Sequence, residues 1–296
     1  MNTSVEFYNR RTSRIEKELI YGEQIMRWFY ENQIGSFFVD TVFSKKIISI
    51  LYGKLKSSPR SSKEIPHFIN RFNINMKEFE EGPFASFNDF FIRKFKKGSR
   101  SFSTSTTDLS AFAEGRYLGF QTHTQKDKFP IKGQLLTAAA LIQDEEKAKI
   151  FEGGPVLIAR LCPTDYHRFH YPDSGTTVER FTVSGKLHSV NPIALNTRSD
   201  IFVGNERCVS ILKTDHFGYI AYIEVGAIFV GKIVQTTTEM LKYQKGQEKG
   251  YFLFGGSTVI VLGEPNHFTI SNDVLENSKK SLETFVPLGD TIAKST

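Results

Sequence analysis

The sequence predicts an α+β protein, in which a helical N-terminal region is followed by a mostly antiparallel β-rich core. Apolar side chains in residues 42–55 recur at helical spacing and form one broad stripe. From about residue 109 onward, short apolar or alternating runs are separated by Gly, Pro, Asn and Asp, which is typical of strands. The turn-rich residues 98–107 (GSRSFSTSTT) lie between the two patterns and predict a domain boundary.

Length and composition fit this division. The 296 residues are 40% hydrophobic and 24% charged, which suits either one large globular domain or a core with a smaller partner domain. We expect residues 1–105 to be helical, basic and associated with a membrane surface, and residues 106–296 to form the β-rich core. Only two cysteines occur, without metal-type spacing, so a reducing compartment is favoured over a disulfide framework. No stretch approaches the roughly 18 to 20 apolar residues of a membrane span.

The N-terminal region carries the positive charge. Residues 1–100 hold 18 Lys and Arg against 11 Asp and Glu, whereas the remaining 196 hold 20 against 21. An anionic membrane surface is the partner that this distribution favours, and nucleic acid is not expected because no groove-reading motif accompanies the charge. Helices are predicted at residues 19–29, 42–55 and 84–94. The amphipathic stripe of residues 42–55 fits both packing on the core and docking on lipid, and both remain open, whereas the aromatic helix at residues 84–94 is expected to pack on the core.

The second region is predicted to consist mainly of strands. They are expected at residues 156–161, 181–187, 208–212, 219–225, 228–234 and 259–262. Residues 135–149 form the one helical insert that the pattern predicts there.

A short run before the last of these strands, Phe-Gly-Gly-Ser-Thr at residues 254–258, is chemically unusual. Glycine permits backbone angles that other residues cannot reach, and the hydroxyl of Ser257 lies next to the carbonyl of Gly256. The chain can therefore attack itself at this bond. If the resulting ester eliminates, Ser257 becomes a pyruvoyl group, and the protein has made its own carbonyl cofactor.

Two further segments contain candidate catalytic side chains. His167 and His170 are three positions apart in residues 163–172, and Glu114 precedes a glycine at an expected strand start. The histidines suit proton transfer, because the pKa of imidazole lies near neutrality. A zinc site completed by Cys162 and Asp165 is one alternative. A Ser-His-Glu hydrolase is another, although the serine run lacks the second glycine of a nucleophile elbow.

These segments resemble the phosphatidylserine decarboxylase family, the pyruvoyl-dependent enzymes that make phosphatidylethanolamine. The resemblance covers nearly the whole chain and takes in residues 86–94, 129–133, 165–170, 205–207, 225–227, 230–231, 245–250 and 255–258. Each segment alone is a weak signal. Their number and order together make the resemblance specific.

The resemblance implies a role for each candidate residue. Ser257 would attack Gly256, His170 would be the general base of self-cleavage, and His167 would protonate the carbanion left when CO₂ departs. Glu114 occupies the position of the family's base-orienting Asp, and its extra methylene departs from the family pattern. We expect processing to survive this change. A protein that binds lipid surfaces without being processed is the alternative that it leaves open.

Self-cleavage would yield a large chain, residues 1–256, and a small chain, residues 257–296, which together form a heterodimer. The small chain would begin with the covalent pyruvoyl group derived from Ser257. By the same resemblance, that carbonyl forms an imine with the amine of phosphatidylserine and acts as an electron sink. No metal is expected, and a homo-oligomer is left open. The expected location is peripheral, on the cytoplasmic face of a bacterial cell membrane, because no transit peptide is recognisable.

Overall fold

The computed structural model describes residues 5–122, 137–198, 200–228, 232–237 and 242–296. Their α-helices are α1 Glu23–Glu31, α2 Gln33–Phe38, α3 Lys46–Lys56, α4 Ile65–Phe72, α5 Phe87–Phe91, α6 Ala138–Ile142, α7 Glu145–Ala148, α8 Pro192–Thr197, α9 Ile201–Gly204 and α10 Asn272–Lys279. A π-helical turn occupies Val39–Phe43, and 3₁₀-helical turns occupy Pro59–Glu64, Met76–Glu78 and Lys149–Phe151.

The strands are concentrated in the second part of the chain. They are β1 Glu6–Asn9, β2 Arg14–Lys17, β3 Asp108–Ser110, β4 Gly115–Phe120, β5 Val156–Leu161, β6 Arg168–His170, β7 Gly175–Val183, β8 Arg207–Thr214, β9 Tyr219–Val225, β10 Ile233–Gln235, β11 Lys242–Tyr243, β12 Glu248–Phe252, β13 Ser257–Gly263, β14 Phe268–Ile270, β15 Glu283–Val286 and β16 Thr291–Ser295. The predicted α+β class, with a helical N-terminal region before a β-rich core, is confirmed.

One large sheet dominates the described part of the chain. Its ten strands follow the order β11-β7-β8-β9-β13-β5-β4-β15-β1-β2, and neighbouring strands are antiparallel except for β1 and β15. Strand β13 lies between β9 and β5, and all seven of its residues are buried. This explains its unbroken apolar sequence, because a strand covered on both faces needs no polar alternation.

Two three-stranded sheets complete the β structure of the described residues, in the orders β10-β12-β6 and β14-β16-β3. The first matters for the site, because β6 follows His167 directly and β12 precedes the Phe-Gly-Gly-Ser run. Gly250 of β12 lies opposite Phe169 of β6. A Cβ atom at Gly250 would lie 2.2 Å from the carbonyl oxygen of Val234 in β10 and 2.6 Å from the Phe169 ring in β6, so the close approach of both neighbouring strands to β12 requires glycine.

Two predicted strands, residues 156–161 and 219–225, are confirmed at both ends by β5 and β9, and β8 contains the predicted 208–212. The prediction for 181–187 overlaps only the end of β7, and among the described residues of the predicted 228–234 only Ile233 and Val234 lie in a strand, β10. Residues 229–231, which include the 230–231 segment of the resemblance, lie outside the described residues, as does its 129–133 segment.

The predicted helix at 135–149 was only partly right. Residues 135 and 136 lie outside the described residues, and the remainder divides into α6 and α7. Gln143 between them has φ of 55°, and the Asp144 side chain accepts a hydrogen bond from the Lys147 amide, which caps α7. A residue in the left-handed region followed by a new N-cap ends one helix and starts another.

The N-terminal residues are also tied to the sheet, which the sequence analysis did not predict. Strand β1 pairs in parallel with β15, and β2 pairs with β1 at the sheet edge. The guanidinium of Arg10 binds both carboxylate oxygens of Asp273 at 2.9 Å.

The predicted helices at 19–29, 42–55 and 84–94 correspond to the shorter α1, α3 and α5. The boundary between 105 and 106 stays a prediction.

A cluster of aromatic side chains joins the helical region to the chain segment before Ser257. Phe68 of α4 and three phenylalanines of α5 are buried together with Phe254, and Tyr21 packs on the same cluster. In the residues that the structure describes, no helix combines the length and apolar character needed to cross a bilayer.

Candidate active site

Ser257 is the first residue of β13 and is completely buried. Its position is fixed on both sides, because β13 begins there opposite Leu161 of β5, and the backbone amide of Phe254 donates to Oδ1 of Asn88 at 2.8 Å. Between these two anchors Gly255 has φ of 145°, a conformation that favours glycine. The unusual backbone that the run predicted therefore falls at the first glycine.

The side chain that faces Ser257 is His167. Its Nδ1 lies 3.3 Å from the Ser257 hydroxyl, and its Nε2 lies 2.8 Å from the carbonyl oxygen of Cys162. A carbonyl can only accept, so Nε2 carries the ring hydrogen and the lone pair of Nδ1 points at the serine. The ring is stacked on Phe91, with centroids 3.9 Å apart. His167 is thus held as a hydrogen-bond acceptor for the Ser257 hydroxyl.

A tight turn after β5 places His167. The carboxylate of Asp165 accepts from the amide of Cys162 at 2.7 Å, and the amide of Asp165 donates to the Cys162 carbonyl at 2.8 Å. Arg116 of β4 binds the same carboxylate at 2.6 Å. These contacts fix the position of the Cys162 carbonyl, which accepts from Nε2 of His167. Residues that do not touch Ser257 therefore determine that Nδ1 is the ring nitrogen that faces it.

Burial determines the protonation state of His167. The ring is completely buried, and desolvation, with a hydrogen bond to Cys162 opposing it and the Arg93 charge adding to it, lowers the pKa of His167 to about 3. The imidazole is therefore neutral near pH 7. A neutral ring with a free Nδ1 lone pair can take the proton of the Ser257 hydroxyl.

His170 has different partners. Its Nδ1 lies 2.9 Å from the carbonyl oxygen of Gly246 and so carries the hydrogen, while the Tyr166 hydroxyl lies 3.2 Å from Nε2 and donates to it. Burial lowers the pKa of His170 and raises that of Tyr166, so the imidazole and the phenol are both neutral. Both ring nitrogens of His170 are occupied by groups other than Ser257.

Glu114 is bound by an arginine. Arg100 reaches both carboxylate oxygens, from Nε at 2.5 Å and from Nη2 at 2.7 Å, and the backbone amide of Leu288 donates to Oε2 at 3.1 Å. Among the described residues, no hydrogen bond joins Glu114 to His170. The structure therefore does not join Ser257, His170 and Glu114 into the expected relay; it joins Ser257 to His167. The roles of all four residues stay predictions.

Sequence reasoning missed the residues that support this pair. Cys162 was considered only as a metal ligand, yet it acts through its backbone carbonyl, for which no side-chain pattern exists. Tyr166 and Phe91 lie inside segments that carried the resemblance, so their positions were a usable signal. Among the residues that the structure describes, no group of three or more His, Cys, Asp or Glu side chains is arranged to hold a metal ion.

A cavity of about 460 Å³ opens beside the glycine run. Gly255 and Gly256 form part of its wall, and apolar side chains such as Ile25 and Phe29 of α1 form much of the rest. A pyruvoyl group in place of Ser257 would fit these surroundings, because the serine is buried, faces an unprotonated imidazole nitrogen and lies at the turn that borders this cavity.

The fold and the site together define the class: an α+β protein with a buried serine–histidine pair at the end of a glycine turn, beside a largely apolar cavity. The comparisons with known proteins agree with this class. The family described as phosphatidylserine decarboxylase matches residues 87–294.

Full-length relatives agree with the family match. Proteins named phosphatidylserine decarboxylase proenzyme from Clostridium perfringens (strain SM101) and Clostridium tetani are 42% and 43% identical over 292 residues, covering 97% and 98% of this chain and 99% and 98% of theirs. One from Desulfitobacterium hafniense (strain Y51) is 38% identical over 290 residues, 97% of each chain. The chain belongs to the phosphatidylserine decarboxylase family. These findings favour neither a hydrolase nor a non-enzymatic lipid-binding protein.

Proposed function

We propose that this protein is the precursor of a phosphatidylserine decarboxylase, which cleaves itself and then converts phosphatidylserine into phosphatidylethanolamine and CO₂. One observation carries the proposal: the hydroxyl of Ser257 lies 3.3 Å from an unprotonated histidine nitrogen, directly after a Gly-Gly turn. The related proteins are named proenzymes, which fits a chain made as a precursor.

Self-cleavage would begin with transfer of the Ser257 proton to Nδ1 of His167, as Oγ attacks the carbonyl carbon of Gly256. The peptide C–N bond breaks and an ester forms, while the serine nitrogen takes a proton to become an amine. Loss of the α-proton then expels the Gly256 carboxylate and leaves a dehydroalanine. Dehydroalanine is an enamine, and water hydrolyses its imine tautomer, which releases ammonia and leaves a pyruvoyl group on the small chain.

We assign the first proton transfer to His167 because of its contact with Ser257, although the resemblance alone gave that role to His170. His170 would reach the site only by leaving the Gly246 carbonyl and the Tyr166 hydroxyl. Glu114, held by Arg100 and bonded to Leu288, would secure the loop before β16, which belongs to the small chain.

When present, the pyruvoyl group would supply an electron-withdrawing carbonyl that accepts the electron pair left by departing CO₂. The surrounding residues would exclude water and manage protons. The apolar cavity wall disfavours the charged carboxylate of the substrate, which aids its loss as neutral CO₂. His167 keeps Nε2–H on the Cys162 carbonyl, so its Nδ1 is the atom placed to carry a proton to the substrate carbon.

The two chains would stay associated after cleavage. Strand β13 begins the small chain at Ser257 and is hydrogen-bonded along its length to β5 and β9 of the large chain. Strand β15 of the small chain likewise pairs with β4 and β1. A heterodimer of residues 1–256 and 257–296 therefore needs no new interface.

The helical region would hold the enzyme at a membrane surface without crossing it. Large apolar side chains are exposed along it; they are Leu19, Ile25, Trp28, Ile34, Phe37, Phe38, Val42, Ile47, Ile50, Leu51 and Leu55. Together with the basic excess of residues 1–100, this surface suits the interface of an anionic bilayer. We propose a peripheral location on the cytoplasmic face of a bacterial cell membrane.

The path from lipid to site supports this placement. Ile25 and Phe29 line the cavity beside Gly256 and also an apolar groove formed with Trp28, Phe38 and other residues. A lipid held at the surface could therefore enter along α1.

Replacing Ser257 by Ala tests the proposal. Wild-type protein should separate into two chains on a denaturing gel, whereas Ser257→Ala should give one full-length band and no CO₂ from phosphatidylserine. Thr258→Val is the matched control, because the Thr258 hydroxyl is also buried and has no hydrogen-bond partner among the described residues. Two bands from Ser257→Ala would refute the cleavage site.

A further inference from the structure

The cavity beside Gly256 is lined by cationic side chains that differ in whether a carboxylate neutralises them. Among the described residues that line it, two are cationic, Arg160 and Arg71. A substrate with a phosphodiester places an anion only a few bonds from its reacting amine. Because much of the wall is apolar, that anion needs a cationic partner to be held there.

Arg160 cannot serve as this partner. Its guanidinium binds both carboxylate oxygens of Glu18, contacts Glu283 closely, and also donates to the sulfur of Cys162. Burial would raise the pKa of Glu18, but the charges of Arg160 and Arg116 lower it to about 2, so this carboxylate stays ionised. The charge of Arg160 is neutralised within the protein.

Arg71 is different. It lies in the last turn of α4, its side chain is exposed, and no carboxylate is within ion-pair distance of it among the described residues. Its guanidinium lies over the ring of Phe72, 5.5 Å from the centroid. Lys56, another cation near the aromatic wall, is already paired with Glu64 at 2.5 Å. Arg71 is thus an uncompensated cation at the edge of the cavity.

The helix that carries Arg71 has a fixed position relative to the cleavage site. Tyr21 packs against Phe68 and Phe72 of α4, with ring centroids 5.7 and 6.0 Å apart, and against Phe254 at 6.0 Å. Phe254 is three residues before Ser257. The same aromatic contacts therefore set the distance between the unpaired guanidinium and the reacting position.

We propose that Arg71 binds the phosphodiester of the substrate while the serine headgroup reaches position 257. A guanidinium can donate two parallel hydrogen bonds to phosphate oxygens, which gives both affinity and orientation. The acyl chains would then leave the cavity past α1 toward the exposed apolar surface. This inference rests on the proposed function and names the residue that recognises the class of substrate, a phosphodiester lipid.

The test measures binding in the uncleaved Ser257→Ala chain, so it does not depend on maturation. The probe is dihexanoyl phosphatidylserine, titrated below its micelle concentration by calorimetry. Arg71→Gln should weaken binding by about ten- to a hundredfold, the loss expected for a hydrogen bond to a charged group, and Arg71→Lys should recover part of it. Arg60→Gln is the matched control, because Arg60 is also exposed but does not line the cavity.

A second readout uses the matured enzyme. Arg71→Gln should raise KM for the same lipid by a similar factor and leave kcat within about threefold, with self-cleavage at the wild-type rate. Equal dissociation constants for Arg71→Gln and its parent, a parent that does not bind, or a loss matched by Arg60→Gln would overturn the proposal. Failure of the proposed function would instead appear as an unsplit wild-type chain.

Discussion

The helical region exposes large apolar side chains to water, whereas the β core buries a pair of charged side chains. In the helices, Ile34, Phe37 and Ile47 are each more than 60% exposed, although large apolar surfaces are uncommon on isolated soluble proteins. In the core, Lys249 and Glu224 form an ion pair at 2.5 Å with both side chains fully buried. The first arrangement suits contact with lipid. The second buries a cation together with its carboxylate partner, whereas the buried His167 beside Ser257 has no such partner and is neutral.

The largest expected effect after loss of Ser257 concerns His167 and His170. Replacing His167 by Ala should slow self-cleavage by about 10²- to 10⁴-fold, the usual contribution of a general base, whereas His170→Ala should slow it less. The rate is measured from the appearance of the two chains after cell-free synthesis. His216→Ala, on a histidine bound to Asp173 away from the site, is the control.

A larger loss of self-cleavage in His170→Ala than in His167→Ala would contradict the assignment of the general base to His167. Normal scission in His167→Ala together with blocked scission in His170→Ala would show that the relay implied by the resemblance operates. The contact between His167 and Ser257 would then belong to a conformation of the precursor that does not react. Thermal unfolding of each variant distinguishes a chemical defect from a folding defect.

The buried ion pair gives the next prediction. Glu224→Gln would leave the Lys249 cation buried without a carboxylate, and the free energy of unfolding should fall by about 3–5 kcal/mol. The exposed pair of Glu146 and Lys149 is the comparison, and Glu146→Gln should have no measurable effect. Denaturant titrations in the Ser257→Ala background keep a single chain throughout. Equal stabilities for the two variants would contradict the contrast between core and surface.

The pH dependence of stability follows from His167. Its pKa is about 3 in the folded protein and near 6.5 when unfolded, so between these values the unfolded chain binds more protons. The contribution of His167 to the free energy of unfolding should be fully present above pH 6.5. It should decrease as the pH drops, by on the order of 2 kcal/mol at pH 5. In the Ser257→Ala background, His167→Gln should flatten this part of the curve. An unchanged slope would show that the ring is not held neutral.

The smallest expected effect concerns the exposed apolar surface. Phe37→Gln with Leu51→Gln should reduce binding to anionic vesicles by about tenfold, because at roughly 25 cal/mol per Å² the loss of about 60 Å² of apolar contact with lipid costs about 1.5 kcal/mol. Activity on a soluble short-chain substrate should not change. Val178→Gln, on an exposed apolar residue of β7, should leave vesicle binding intact. Equal losses from both changes would mean that the helical surface has no special role.

The elements that local sequence patterns define were predicted well. Strands β5 and β9 begin and end where their apolar runs do. Strands β1 and β2 were missed because each has four residues, because five of the eight residues are polar, and because β1 is held by pairing with β15, more than 270 residues away. Such long-range pairing leaves no periodicity in the strand itself.

The site was predictable in its residues but not in their pairing. The Gly-Gly-Ser run and the two histidines could be read directly, since each depends on residue type and spacing. Which histidine meets Ser257 is decided by the carbonyl of Cys162 and by the Phe91 ring. Both belong to other elements, so the answer requires the assembled fold.

Intact mass spectrometry of freshly purified wild-type protein tests the central claim most directly. The account predicts two components, one ending at Gly256 and one starting at position 257, the second lighter than the serine-headed peptide by one ammonia. A single mass for the complete chain, in a preparation that releases CO₂ from phosphatidylserine at full rate, would contradict it.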